Sequence, residues 1–213
     1  MVGRSGCGKS TLLRCIGGLI APTTGSIKIS GQIVTEPHPQ IGYVFQQPVL
    51  LPWRTVEANV SLPFEVKGKP TKEEKNKVKK VLGIVGLSDY AKHRPGELSG
   101  GMQQRVSVSR SLVTEPSILL MDEPFGALDA QTREDMNVEL LRIWEVAKTT
   151  IVFVTHDIGE ALFLSDRVVI MSARPGKIDD IIEVNSPRPR SFDQVENDPE
   201  FWKMRQRIRK ALH

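Results

Sequence analysis

A chain of 213 residues with 39% hydrophobic and 25% charged side chains has the composition of a globular domain, long enough for one core or for a core with an inserted subdomain. Its longest apolar runs, Ile118 to Met121 and Thr150 to Val154, are strand-length, far below the roughly 18 residues of a membrane-spanning helix, so work at a membrane would need a partner. The net charge of +4 is scattered except at Lys72–Lys80 and the last residues, and neither stretch is interleaved with aromatics, which argues against nucleic-acid binding.

Arg14 interrupts the mildly apolar stretch Leu12 to Ala21, which excludes it as a secretory signal. Cys7 and Cys15 are too few and too close for a disulfide framework, and a reducing cytoplasm is the expected compartment. A Gly-rich loop leads into a helix over about Lys9 to Leu19. Ser26–Ser30 and Ile33–Thr35 read as a hairpin across Gly31-Gln32, and Ile41–Phe45 as a short buried strand. Residues 48 to about 115 change character and lack convincing strands. Thr71 with Glu74 three residues on forms a capping box, followed at helical spacing by Val78, Val81, Leu82 and Val85. Strand and helix then alternate: strand Ile118–Met121, and a long helix capped by Asp129 with Met136, Leu140, Ile143, Trp144 and Ala147 on its apolar face. Strand Thr150–Val154, helix Ile158–Leu164 and strand Val168–Met171 follow. A turn at Arg174–Lys177 precedes strand Ile178–Val184, and Pro199–Leu212 reads as a terminal helix. This order implies an α/β fold with a mostly parallel sheet and an inserted helical subdomain.

Gly3-Arg4-Ser5-Gly6-Cys7-Gly8-Lys9-Ser10 fits the phosphate-loop pattern at every position. The glycines let the backbone curl so that successive N–H groups face a phosphate, and the following helix aims its positive end at the same place. Lys9 can reach the β- and γ-phosphates, and the Ser10 hydroxyl can ligate Mg²⁺. Ser5, Cys7 and Thr11 complete the expected ATP contacts. Cys7 should be an accessible but chemically idle filler. Ile118 to Glu123 is an apolar strand ending in two acids: Asp122 suits a Mg²⁺ held through its water shell, and Glu123 suits polarising an attacking water. Together these motifs specify a nucleoside triphosphatase.

Leu98-Ser99-Gly100-Gly101-Met102-Gln103-Gln104-Arg105 opens a further helix, over about Met102–Val113, with a serine and bare glycine N–H groups. It resembles the signature sequence of ATP-binding-cassette (ABC) transporter ATPases, and the resemblance runs from Met1 to about Val184. It implies a RecA-like phosphate-loop core at 1–47 and 116–190, a helical subdomain at 48–115 and a helical tail at 191–213. It implies a homodimer in which Ser99, Gly100, Gly101 and Gln103 close over the partner's nucleotide. Gln46 matches the family's glutamine loop, which touches Mg²⁺ and water. Asp129, in Gly126-Ala127-Leu128-Asp129, matches the loop crossing the dimer interface. His156 matches the switch histidine at the γ-phosphate, and Glu123 would be the catalytic base or water-positioner.

The segment Gln47–Val60, with Leu51-Pro52-Trp53 before Thr55-Val56, lies where the family docks a coupling helix of the permease, and it resembles the importer group for nitrate, sulfonates and taurine. The implied protein hydrolyses ATP with Mg²⁺ on the cytoplasmic face of the cell membrane, coupled to a separate permease and a periplasmic or extracellular substrate-binding protein. A DNA-repair ATPase with the same motifs would separate Gln46 from Ser99 by coiled coils or zinc modules, which are absent here. The phosphate loop should also follow a buried strand, of which only Met1 and Val2 are present. The expectation is therefore that Met1 is internal to a longer chain, that the N-terminal strands are missing, and that this chain alone is catalytically impaired.

Overall fold

The computed structural model describes every residue except Arg174 and His213, so Arg174 of the expected Arg174–Lys177 turn lies outside the described residues, while Pro175 and Gly176 form a turn. In chain order, β1 (Val2–Gly3) leads to α1 (Lys9–Ile16), then to β2 (Lys28–Ile29), β3 (Gln32–Ile33) and β4 (Ile41–Val44). Three helices follow, α2 (Val56–Glu65), α3 (Lys72–Ile84) and α4 (Gly100–Leu112), and then β5 (Ile118–Asp122), α5 (Ala130–Ala147) and β6 (Thr150–Val154). The chain ends through α6 (Ile158–Leu164), β7 (Arg167–Ser172), β8 (Lys177–Glu183), α7 (Phe192–Asn197) and α8 (Pro199–Leu212). These elements make the α/β phosphate-loop fold expected from the sequence. They form two compact units, residues 1–37 with 152–213 and residues 38–151, and the chain passes between them inside β6.

In the first unit β1 pairs in parallel with β7, Val2 opposite Ile170, and β7 pairs antiparallel with β8. On the other side of β1 the Met1 amine donates to the Phe153 carbonyl at 2.5 Å, and the Met1 carbonyl accepts from the Thr155 N–H at 3.1 Å. Burial, with the Lys9 charge adding to it, pushes that amine down to about 5. The core collects Val2, Leu13, Leu162, Phe163, Ile170, Phe201 and Ile208, all fully buried. Arg190 is buried as well. Its guanidinium donates to the carbonyls of Leu162, Phe163 and Ser165 at the end of α6 and to those of Val184 and Ser186, satisfying groups a helix end leaves open.

In the second unit the sheet order is β4-β5-β6, with β4 and β5 parallel from Ile41 opposite Ile118 to Val44 opposite Met121. Helices α2, α3 and α4 bury Val56, Val60, Val78, Leu82 and Val106. The capping box at Thr71 and Glu74 forms as expected. Asn59, fully buried, accepts from Leu51 N at 2.8 Å and donates to the carbonyls of Leu51, Arg54 and Thr55, which fixes the loop ahead of α2.

Several boundaries differ from the sequence expectation for local reasons. Helix α1 stops at Ile16 rather than near Leu19, because Gly17 caps it and Gly18 turns left-handed at φ 70°. The hairpin turns at Ser30-Gly31, not Gly31-Gln32: both have positive φ, as a type I′ turn requires. Helix α4 starts at Gly100 instead of Met102, since Ser99 is its cap. Ala147, expected on the apolar face of α5, is exposed in the last turn, while Leu141 is buried. The sheets are mixed, since β7–β8 and β2–β3 are antiparallel. Helix α7, absent from the sequence expectation, opens on a capping box of Ser191 and Gln194.

Candidate functional site

The phosphate loop leaves β1 and enters α1 through two left-handed glycines, Gly6 at φ 79° and Gly8 at φ 100°. A Cβ at either would meet nothing within 4 Å, so the backbone conformation, not crowding, demands glycine there. Gly3 is different: a Cβ there would lie 2.6 Å from both Cys7 Sγ and the Met171 carbonyl oxygen. Gly8 caps α1 without a side-chain bond, which leaves the first N–H groups of the helix facing the loop. Lys9 is buried beneath the loop, its Nζ donating to the carbonyls of Gly3 at 2.8 Å and Arg4 at 3.2 Å. Ser10 is half-buried, while Ser5 and Thr11 are exposed.

Cys7 corrects the sequence expectation. It is 3% exposed, not accessible. Gly176 packs against it, so closely that a Cβ there would run into the Cys7 carbonyl oxygen. The position of Gly176, remote in sequence from the motif, therefore shapes the phosphate loop, and no pattern within the motif announces it. A cavity of about 440 Å³, within the size range of small-ligand pockets, opens beside Arg4 and Ser5 and is walled by Met171, Ser172, Ala173, Ala211 and Leu212. His156 is exposed just after β6. The neighbouring Thr155 hydroxyl accepts from Asp157 N at 3.0 Å, and Asp157 caps α6 through Glu160 N.

In the second unit Asp122 closes β5 and Glu123 follows at φ 45°. A left-handed glutamate is a rare backbone state that costs roughly 1–2 kcal/mol, and such strain collects at functional positions. The turn is completed by Gly126 N–H donating to the Glu123 carbonyl at 3.1 Å. A Cβ on Gly126 would lie 3.4 Å from Gln46 Nε2 and 3.7 Å from Glu123 Oε2, so the two head groups converge on that glycine.

Ser99 and Gly100 are exposed at the start of α4, with the Ser99 hydroxyl accepting from Met102 N at 3.3 Å. Gln103 turns back to donate to the Pro95 carbonyl at 3.0 Å, which holds the segment leading into the helix. Gly101 is tight: a Cβ there would lie 3.0 Å from the Thr132 methyl. Asp129 caps α5 by accepting from Thr132 N at 3.0 Å, and those N–H groups hold its carboxyl below the usual carboxylate range.

A phosphate loop on β1, paired acids at the end of β5 and a Ser-Gly-Gly helix start exposed at Ser99 and Gly100 define an ATPase of the phosphate-loop class. The family model for ABC transporters matches residues 1–126. The chain is 48% identical over 212 residues to an uncharacterised ABC transporter ATP-binding protein of Methanocaldococcus jannaschii, covering 100% of this chain and 78% of the relative. It is 52% identical over 191 residues to the aliphatic sulfonates import ATP-binding protein SsuB of Bacillus cereus, covering 90% of this chain and 75% of that one. The bicarbonate transport ATP-binding protein CmpD of a Synechocystis species is 46% identical over 208 residues, covering 96% and 74%. Among solved structures, the dimeric ATP-binding cassette MJ0796 in a post-hydrolysis state with ADP and Pi superposes with a TM-score of 0.71. It is 35% identical to this chain, and the match covers 87% of this chain and 84% of the cassette. The chain belongs to the ABC transporter family as an ATP-hydrolysing, ATP-binding subunit.

Proposed function

We propose that this subunit powers an importer for a small oxyanion, such as an aliphatic sulfonate, taurine or nitrate, by hydrolysing ATP in a homodimer beneath a separate permease. The exposed Ser99-Gly100 start of α4 carries the dimer reading: uncovered N–H groups at a helix N-terminus are an anion site, supplied in addition to the one at Gly3–Ser10. The dimeric cassette MJ0796 supports the same assembly. The relatives named for aliphatic sulfonates and bicarbonate support the oxyanion class.

In this reading Gly3, Ser5, Gly6, Cys7, Gly8, Lys9, Ser10 and Thr11 receive the phosphates of ATP. Lys9 leaves its loop carbonyls to meet the β- and γ-oxygens, a gain because a charged acceptor binds an ammonium more strongly than a carbonyl does. Ser10, Asp122 and Gln46 offer one hydroxyl, one carboxylate and one amide. Each is an oxygen donor of the kind Mg²⁺ takes, and the ion, which keeps several waters and takes substrate phosphates as ligands, would neutralise charge on the β- and γ-oxygens. Glu123 orients the attacking water, His156 contacts the γ-phosphate, and Ser99, Gly100, Gly101 and Gln103 serve the partner's nucleotide, with Asp129 at the dimer interface.

Residues 48–115 form the helical subdomain of this reading, supported by α2, α3 and α4. Its segment 45–53 exposes Phe45, Val49 and Trp53, the last at 69%, an apolar patch suited to a permease helix. Among the described residues no helix is long and apolar enough to cross a membrane, so the attachment to the cytoplasmic face runs through that permease, which in turn receives substrate from a periplasmic or extracellular binding protein. The test is Glu123→Gln. The variant should bind ATP, dimerise with it and hydrolyse it at least about 100-fold more slowly, in line with the loss of a positioned general base. Near-normal turnover would remove Glu123 from this role, and a variant that stays monomeric with saturating ATP would remove the dimer.

A further inference from the structure

Gln46 lies between two grips, and both come from α4. Ahead of it, the Ser111 hydroxyl donates to the Tyr43 carbonyl at 2.8 Å. Behind it, the Arg110 guanidinium donates to the carbonyls of Pro48 and Val49, each at 2.8 Å. Helix and strand approach so closely here that a Cβ on Gly42 would lie 2.9 Å from the Ser111 carbonyl oxygen. Val49 is held at φ 47°, a conformation a β-branched residue almost never adopts unaided. Arg110 is half-buried, with its guanidinium on main-chain carbonyls. A planar fork that spans two carbonyls fixes geometry, which a flexible ammonium does not.

The other end of the same helix is the Ser99-Gly100-Gly101 start, where Ser99 and Gly100 are exposed and Gly101 is buried. The 13 residues of α4 make a rod of about 20 Å, stiffened by its own ladder. We propose that Arg110 and Ser111 are positioning residues that tie Gln46 to the far end of this rod, so that phosphate captured at Ser99–Gly101 resets the placement of Gln46. The inference rests on the reading of Ser99–Gly101 as the site for the partner's nucleotide. In a two-fold dimer it makes each ATP site report on the other. Gln46 and Glu123 converge on Gly126, so a shift of the Gln46 loop reaches the residue that orients water.

The experiment measures ATP hydrolysis by the full chain against ATP concentration, for wild type, Arg110→Lys and Ser111→Ala, alongside thermal midpoints and the affinity of each protein for a fluorescent ATP analogue at monomeric dilution. Two coupled sites allow a Hill coefficient of up to about 2. Wild type should approach that value. Arg110→Lys should fall to about 1 and lose about ten-fold in kcat, with monomer affinity changed less than about two-fold and the thermal midpoint held. Ser111→Ala, which removes one grip, should fall between the two. Wild-type cooperativity and turnover in Arg110→Lys overturns the link, as does a loss that tracks the thermal midpoint or monomer affinity, since that is the signature of a merely structural role. A wild type without cooperativity, together with Glu123→Gln that does not dimerise on ATP, overturns the dimer reading instead.

Discussion

Replacing Glu123 by glycine and, separately, by alanine should separate the carboxylate from the backbone that carries it. Both variants lose the same side-chain contacts and the same chemistry, so the difference between them isolates the φ of 45° at this position. The left-handed state costs a residue with a Cβ roughly 1–2 kcal/mol, which glycine escapes. Glycine gives back about 0.5–1 kcal/mol through the larger entropy of its unfolded chain. The balance favours Glu123→Gly over Glu123→Ala by about 0.5–1 kcal/mol. For a chain of this size, about 2–4 °C per kcal/mol converts that to a melting difference of about 1–4 °C. Scanning calorimetry without nucleotide reads the difference, and an ATPase assay should find both variants inactive. An alanine variant as stable as the glycine variant, or more so, would refute the claim that the acid is held in a strained backbone state.

Gly176→Ala places a Cβ against the Cys7 carbonyl, a main-chain atom that can yield only by moving the phosphate loop. At about 1–3 kcal/mol for such overpacking, ATP affinity should fall about ten-fold or more by titration calorimetry, and unchanged affinity would free the loop from this constraint. Asn59→Leu conserves volume but removes four hydrogen bonds that hold residues 51–55. At about 1 kcal/mol net per bond it should destabilise by about 2–4 kcal/mol in urea titrations. Asp129 has a folded pKa below its unfolded value because Thr132 N–H bonds its carboxylate. Its capping contribution is therefore complete above the ordinary carboxylate range and is lost as pH falls through the depressed value. Asp129→Asn caps without ionising, so it should flatten this part of the acid unfolding curve, and a curve identical to wild type would exclude it.

Features that depend on neighbouring residues can be read from the chain alone. The phosphate loop was legible because left-handed turns need glycine at Gly6 and Gly8, and each need is met within the motif. The capping box at Thr71, the terminal helix Pro199–Leu212 and the buried strands at Ile118 and Thr150 were legible because caps and periodicity act over a few residues. Ser99 and the two glycines after it marked the opening of α4, although the expected helix began at Met102 and the observed one begins at Gly100. How these pieces are held is set by contacts distant in sequence. Gly176 packs against the Cys7 carbonyl, and the chain on either side of Gln46 is held by Ser111, 68 positions from the carbonyl it grips, and by Arg110, 61 and 62 positions from its acceptors. Glu123 owes its conformation to the turn that follows it, and nothing in a pair of adjacent acids signals a positive φ. The α/β alternation is written in local hydrophobic pattern, whereas hydrogen-bond partners distant in sequence are chosen only when the chain folds and every buried donor must find an acceptor.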